Sequence, residues 1–531
     1  MNTRRRIVLG TGAAALAGAA GWLAWRRPRE SVEPADIVAE LPPDPLFPNR
    51  LRLPGEDGFN GLLDVGGAFS IVSRTVQHEI IPGKRVPMLA YTVEHAGRAF
   101  VNPVLRIQKG TTVRARYWNA LDETSIVHWH GLTVDTNNDG HPHYAVRASE
   151  TYDYQFEVSN RAGTYWYHPH PHHLAGKQAY LGLAGLLVVE DAEDVALQRA
   201  LDLTFGETDL PLLIQDKRLG ADGSLQYTPA SHDHFLGYCG DRVLVNSTPA
   251  PYLDCASRIY RLRLVNGSNA RIYRLAFLRN DAPAEFQVIG ADGGLLERPI
   301  AVRELFLGPA ERADVLLDLT QATLGERVML ASLPFDAMQL GNSPPTRTAR
   351  TDTEVPVNGA PLELMLMRVT RQTRYARPVP HTLCTIDSAP ADGLQHRRFS
   401  FAHVKGLWRI NGYSYQMTKT AFSVPRGARE IWEFTSSRPA MPHPIHIHGF
   451  QYRVLARTGS PAHLKALAAN ADGVQPAELG WKDSVLLWPG ETIRLLVDFS
   501  HPFQGDQVYM LQCHNLEHET HGMMVNFRVS A

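Results

Sequence analysis

Beyond about residue 50 the chain alternates apolar and polar positions in short runs, the period of half-buried strands, and stretches with helical period are scarce. Val104-Leu105-Arg106-Ile107 leads through Lys109-Gly110 into Thr112-Val113-Arg114-Ala115-Arg116-Tyr117. Phe422-Ser423-Val424, Arg426-Gly427 and Glu430-Ile431-Trp432-Glu433-Phe434 repeat that plan, and histidine-rich sequence follows both copies. A second echo occurs three times: Glu150-Thr151 before Tyr152–Phe156, Glu311-Arg312 before Ala313–Leu317, and Glu491-Thr492 before Ile493–Val497. These glutamates stand 161 and 180 residues apart, a domain-sized interval. The pattern predicts an all-β chain of three related β-sandwich units, at about 50–200, 205–370 and 385–531. The Pro-rich, acidic stretch 28–49 and the segment Asn342 to Gly359 read as linkers or loops.

At the N-terminus, Arg4-Arg5-Arg6 runs into a small-residue-rich apolar segment that extends to about Trp25. Residues 1–27 resemble a twin-arginine export signal, with an uncleaved membrane anchor as the alternative. The first reading implies the twin-arginine export machinery as a partner, and either places the folded body in the periplasm or elsewhere outside the cytoplasm. With 53 basic and 54 acidic residues the net charge is -1, which argues against a dedicated nucleic-acid binder. Four cysteines are too few for a disulfide scaffold. Cys239 and Cys255 could pair in an oxidising compartment or stay free thiols.

The 23 histidines change the picture more than the charge does, because four short windows concentrate them. The windows are His128-Trp129-His130-Gly131; His168-Pro169-His170 with His172 and His173; His443-Pro444-Ile445-His446-Ile447-His448-Gly449; and Cys513-His514 through His518 to Met523. On a strand, residues two apart share a face, so each His-x-His can present two imidazoles together. Imidazole suits Cu, Zn, Fe or Ni, and an added thiolate and thioether shift the choice to copper. If 512–514 are extended, Cys513 faces one way and its neighbours the other. Cys513, His518, Met523 and an imported histidine would form a blue-copper group, with His514 serving a second metal group behind the strand.

These motifs, with Tyr165-Trp166-Tyr167 before His168, resemble the three-domain multicopper oxidases of the bacterial copper efflux and laccase-like kind, over residues from about 50 to 531. The resemblance implies three consecutive cupredoxin-like Greek-key domains and up to four copper ions. It implies a type 1 copper on His443, Cys513 and His518 with Met523 axial, and a type 2 copper on His128 and His446. His130, His168 and His514 would hold one type 3 copper, and His170 and His448 the other. The middle domain supplies no ligand. Where the family reads His-Cys-His, this chain has Gln512-Cys513-His514, so the type 3 copper of His170 and His448 lacks its third imidazole and is expected to bind weakly or not at all. His172, His173 or His521 are the candidates to compensate. Asp139 and Glu519 occupy positions where the family has acids that relay protons; both also fit a purely structural role.

The expected activity is that of a copper oxidase passing single electrons from a phenolic or metal-ion donor to O2, working as a monomer. The alternatives are a blue-copper electron-transfer protein with an impaired cluster, and a non-catalytic relative of the cell-division type. Among the 11 methionines Met365 and Met367 are close together but no dense cluster appears near the third domain, which weakens assignment to a dedicated cuprous oxidase.

Overall fold

The structure is a computed structural model describing residues 36–55, 60–95, 97–339, 355–386, 393–438 and 440–531. The basic and apolar N-terminal segment and most of 342–359 lie outside the described residues. Residues from Ile37 to Ala531 form one compact unit of paired β-sheets with a few short helices.

Three sandwiches follow one another along the chain. The first pairs a five-stranded sheet built around Ala68–Glu79 and Thr112–Asn119 with another holding Val104–Gln108, Gly185–Glu190, Gly163–Pro169 and Val127–His130. Larger sheets, of eight and seven strands, make the middle sandwich, and two five-stranded sheets make the third. Alternation explains the packing: along Thr112–Asn119, Val113, Ala115 and Tyr117 are buried between exposed residues and meet Leu105, Ile107, Leu187 and Val189 of the facing sheet.

The triple echo has a structural counterpart. In each sandwich a central strand (Thr112–Asn119, Ile259–Asn266 or Arg429–Ser436) lies parallel to an earlier strand on one side. On the other it pairs antiparallel with the strand after the repeated glutamate. The glutamate itself closes the preceding turn, its carboxylate accepting the backbone N–H three residues upstream: Glu150 from Arg147 at 2.8 Å, Glu311 from Gly308 at 2.7 Å, Glu491 from Trp488 at 3.0 Å.

One detail differs from the sequence reading, and one alternative it left open is decided. Ile37–Val38 and Asn49–Arg50, within or at the edge of the stretch read as linker, form short strands on the eight-stranded sheet. Cys239 and Cys255 are free, buried thiols, and the Cys255 S–H donates to the Arg368 carbonyl at 3.2 Å instead of pairing.

Candidate metal centre

The four histidine windows fall on strands, strand ends and, for His518, the short helix Leu516–Thr520, around the junction of the first and third sandwiches. Val127–His130 runs antiparallel to Gly163–Pro169, which sets His128 opposite His168. Across the junction, His443–Ile447 pairs with Gln507–Cys513, so that Ile445 faces Cys513 and His446 faces Gln512. The two sandwiches are tied together around this point by Tyr509 Oη donating to the Val134 carbonyl (2.7 Å) and by the His141–Asn526 side-chain pair (3.0 Å).

Seven buried imidazoles meet there: His128, His130, His168, His170, His446, His448 and, from the strand's end, His514. His130 Nδ1 and His514 Nε2 each lie 3.3 Å from His168 Nε2, so three ring nitrogens converge. Rings from the two sandwiches stack in pairs, His128 on His448 at 4.1 Å and His130 on His446 at 3.8 Å. The nitrogens of His128, His446 and His448 form a second group within 4.8 Å of one another.

Acceptors around the rings decide which nitrogen stays free. Nδ1–H of His128 donates to the Asp139 carbonyl (2.5 Å), that of His448 to the Asp139 carboxylate (2.8 Å), that of His446 to the Asp483 carbonyl (2.8 Å) and that of His168 to the Pro169 carbonyl (3.1 Å). His130 is turned the other way round: its Nε2–H meets Asp483 Oδ1 at 3.1 Å, leaving Nδ1 for the converging group. Nε2 of His128, His446 and His448 are buried with no protein partner. An imidazole whose far nitrogen is spent on a carbonyl or carboxylate is the arrangement of a metal ligand. Burial, helped by the crowding of rings, holds His128, His130, His168, His448 and His514 well below the usual histidine range, so these imidazoles are neutral and carry free lone pairs.

On the other face of Gln507–Cys513, Cys513 Sγ lies 3.6 Å from Nδ1 of both His443 and His518. Met523 is fully buried in the same core, and its backbone bonds to both Cys513 (3.0 Å) and His518 (2.9 Å). Burial pushes the Cys513 thiol up and His443 down to about 3. Imidazole, thiolate and thioether donors together suit copper, and the all-imidazole groups accept it equally.

Gln512 sits where alternation places it, on the cluster side, with Oε1 accepting from His170 Nε2 at 3.0 Å. Glu519 Oε1 is 3.6 Å from the same nitrogen. Burial, then the neighbouring Glu517, holds the Glu519 carboxyl well above the usual range, which favours its protonated form. The candidates to replace the missing imidazole are elsewhere: His172 stacks on His173 at 3.7 Å, and Nδ1–H of His173 and His521 donate to the Thr520 and Glu517 carbonyls, at 2.9 and 2.7 Å.

Three residues that sequence reasoning missed complete the centre. Asp483 orients His130 and His446. Arg312, from the middle sandwich, grips both Asp483 oxygens at 2.6 Å and donates to the Thr164 carbonyl of the first sandwich at 2.9 Å. Burial works against the Asp483 charge, but the Arg312 guanidinium more than offsets it, and the carboxyl lies well below its usual range. The Trp408 ring lies 4.1 Å from His518 and 5.1 Å from His443. Nothing in their spacing sets these three apart in the sequence; only tertiary contact does.

The chain matches family profiles described as multicopper oxidase over residues 85–194, 240–352 and 386–531. It is 30% identical over 435 residues to multicopper oxidase mco of Staphylococcus haemolyticus, covering 81% of this chain and 82% of that protein. It is also 30% identical over 424 residues to the cell division protein FtsP of Xenorhabdus nematophila, covering 79% and 81%. Among solved structures it resembles the McoA multicopper oxidase of Aquifex aeolicus, with a TM-score of 0.80, 39% identity and coverage of 91% of this chain and 99% of that one.

Proposed function

Since the chain belongs to the multicopper oxidases, copper-dependent oxidoreductases, we propose that it takes single electrons from a phenolic or metal-ion donor and reduces O2 to water. The observation that carries this reading is the set of buried imidazoles whose far nitrogens are already spent and whose free nitrogens share one space. Copper, when bound, would supply one-electron chemistry at His443, Cys513, His518 and Met523, and O2 chemistry at His128, His130, His168, His170, His446, His448 and His514.

The chain's own residues have distinct tasks in this reading. Cys513 and His514 are adjacent, so a single peptide link joins the two groups. Asp139 and Asp483 hold four imidazoles in the ligand tautomer. Glu519 keeps a proton on a buried carboxyl 3.6 Å from His170, a position suited to supplying O2 reduction. The body acts as a monomer outside the cytoplasm, exported through the twin-arginine route by residues 1–27.

One observation favours a second reading, a blue-copper protein with an impaired cluster: Gln512 offers His170 a neutral amide oxygen at 3.0 Å in place of an imidazole. An amide oxygen is a harder donor and holds reduced copper poorly. The non-catalytic reading that FtsP suggests is opposed by the retention of Cys513 and of ten of the eleven ligands that the family's pattern requires.

Copper per chain, the thiolate-to-copper absorption and O2 uptake with a phenol, compared between the native chain and Gln512→His, test the assignment. The expected result is a blue native protein that consumes O2, with Gln512→His binding up to one more copper and turning over faster. A blue native protein that takes up no O2, restored by Gln512→His, would establish the second reading. Absence of the blue band in both would overturn the proposal.

A further inference from the structure

The helix Leu516–Thr520, which carries His518, forms one wall of a surface cavity of about 620 Å3. Four imidazoles from three segments line it: His172, His173, His234 and His521. They stand in two pairs, the rings of His172 and His173 stacked at 3.7 Å and those of His234 and His521 at 4.4 Å. His173 is held at φ +67°, in the left-handed region that residues with a Cβ seldom adopt.

The hydrogen bonds prepare these rings as ligands. Nδ1–H of His173 and of His521 are spent on the Thr520 and Glu517 carbonyls, which leaves each Nε2 with its lone pair. Nδ1 of His172, Nδ1 of His234, Oγ1 of Thr520 and Oη of Tyr415 are buried atoms without a protein partner. Buried polar groups in that state call for a ligand or water. No carboxylate lines the cavity, and Lys177 at its rim is ion-paired to Glu123. Hard ions such as Mn2+ or Mg2+ prefer oxygen donors, so an imidazole-lined cavity favours softer ions such as copper, iron or zinc.

We propose that this cavity is the docking site of a metal-ion electron donor that imidazole accepts, a cuprous or ferrous ion. The inference rests on the oxidase reading above and names the donor class for it. The cavity lies on a short route to the Cys513 group: His234 lines it, while the His234 backbone carbonyl accepts the Trp408 Nε1–H at 3.2 Å. The Trp408 ring is 4.1 Å from His518, and His521 follows His518 by three residues. By contrast, His518 is itself fully buried, its Nε2–H donating to the Phe235 carbonyl at 2.9 Å, so a donor does not reach that ring directly. The ion gives up one electron, Cu(I) to Cu(II) or Fe(II) to Fe(III), and releases no proton. Four such electrons, four protons and one O2 yield two water molecules.

Zinc, which imidazole binds and which cannot be oxidised, separates binding from turnover. Titrated calorimetrically into the copper-loaded full chain, it should bind at one site that is lost in the double variant His172→Ala/His521→Ala. In steady-state O2 uptake the same variant should raise KM for Cu(I) or Fe(II) by about 10-fold or more, leaving kcat/KM for a phenol within about twofold; running both ions identifies which the cavity takes. Zinc binding unchanged in the variant, or metal and phenol oxidation falling together, would overturn the inference. Should the native protein oxidise no donor at all, the oxidase reading fails while the zinc titration still decides whether the site exists.

Discussion

Asp139 serves two imidazoles at once, its carbonyl taking the His128 N–H and its carboxylate the His448 N–H. The turn that lets it do so depends on Gly140, at φ +77°, where a Cβ would lie 2.1 Å from the Val127 carbonyl oxygen. Orientation and proton relay make different demands on Asp139. Asp139→Asn keeps an oxygen acceptor for His448 but cannot carry a proton. If relay is its task, O2 uptake should fall by about 10-fold to 100-fold with copper content unchanged, as read by metal analysis beside oxygen consumption. Asp139→Ala strips the His448 N–H of its acceptor, at a cost of about 1–3 kcal/mol. Copper affinity should then drop by roughly 10-fold to 100-fold, which competition with a chelator measures.

Among the elements, the strand Gln507–Cys513 does the most by alternation alone, sending Gln512 to the ring cluster and Cys513 to the opposite core. The repeated glutamate turns show how one local device acquires different weight. Glu150 closes an exposed turn, whereas Glu491 also accepts from Arg457 at 2.9 Å and Ser460 at 2.6 Å inside the third sandwich. Glu150→Ala should cost about 1 kcal/mol in chemical denaturation, and Glu491→Ala about 3–5 kcal/mol because it leaves a buried guanidinium undercompensated.

A second element-scale device joins the first and middle sandwiches. Lys217, at the end of the strand Asp209–Lys217, donates to the Tyr180 and Ala179 carbonyls at the C-terminus of the helix Ala175–Tyr180, at 2.7 and 3.3 Å. Burial brings this amine down to about 7. Between pH 7 and 10 the unfolded chain therefore keeps a proton on it that the folded chain has released, and stability rises with pH through that window. Going from pH 7 to pH 9, native stability should gain about 2 kcal/mol that Lys217→Met does not gain. Equal pH slopes for the two proteins in denaturant titrations would count against this.

At the scale of the whole molecule, the middle sandwich reaches the centre through Arg312. Arg312 reaches from it to Thr164 in the first sandwich and Asp483 in the third, so one side chain spans all three. Arg312→Met keeps most of the volume but leaves Asp483 buried without its cation. The loss should be about 3–5 kcal/mol, with a parallel loss of bound copper because His130 and His446 both lean on Asp483. Thermal unfolding and metal analysis of that variant read both effects. A variant that unfolds like the native protein but lacks copper would confine the role of Arg312 to orientation.

Sequence alone determined the strand period, the three-fold echo and where donors suited to copper are concentrated, because side-chain direction along a strand follows from position and ligand chemistry from residue type. Cys513 and its neighbours were legible for that reason. So was the departure at Gln512. What spacing could not reveal is which distant groups meet. Arg261 and Arg263, two apart on the strand Ile259–Asn266, are both fully buried against Asp194, Asp209 and Asp314, partners that no local pattern announces. Asp483 and Arg312 carry no motif, and the free nitrogen of each ligand histidine depends on an acceptor contributed from another strand or loop. Only tertiary structure decided these points, since a hydrogen bond between residues hundreds of positions apart exists only once packing has brought their strands together.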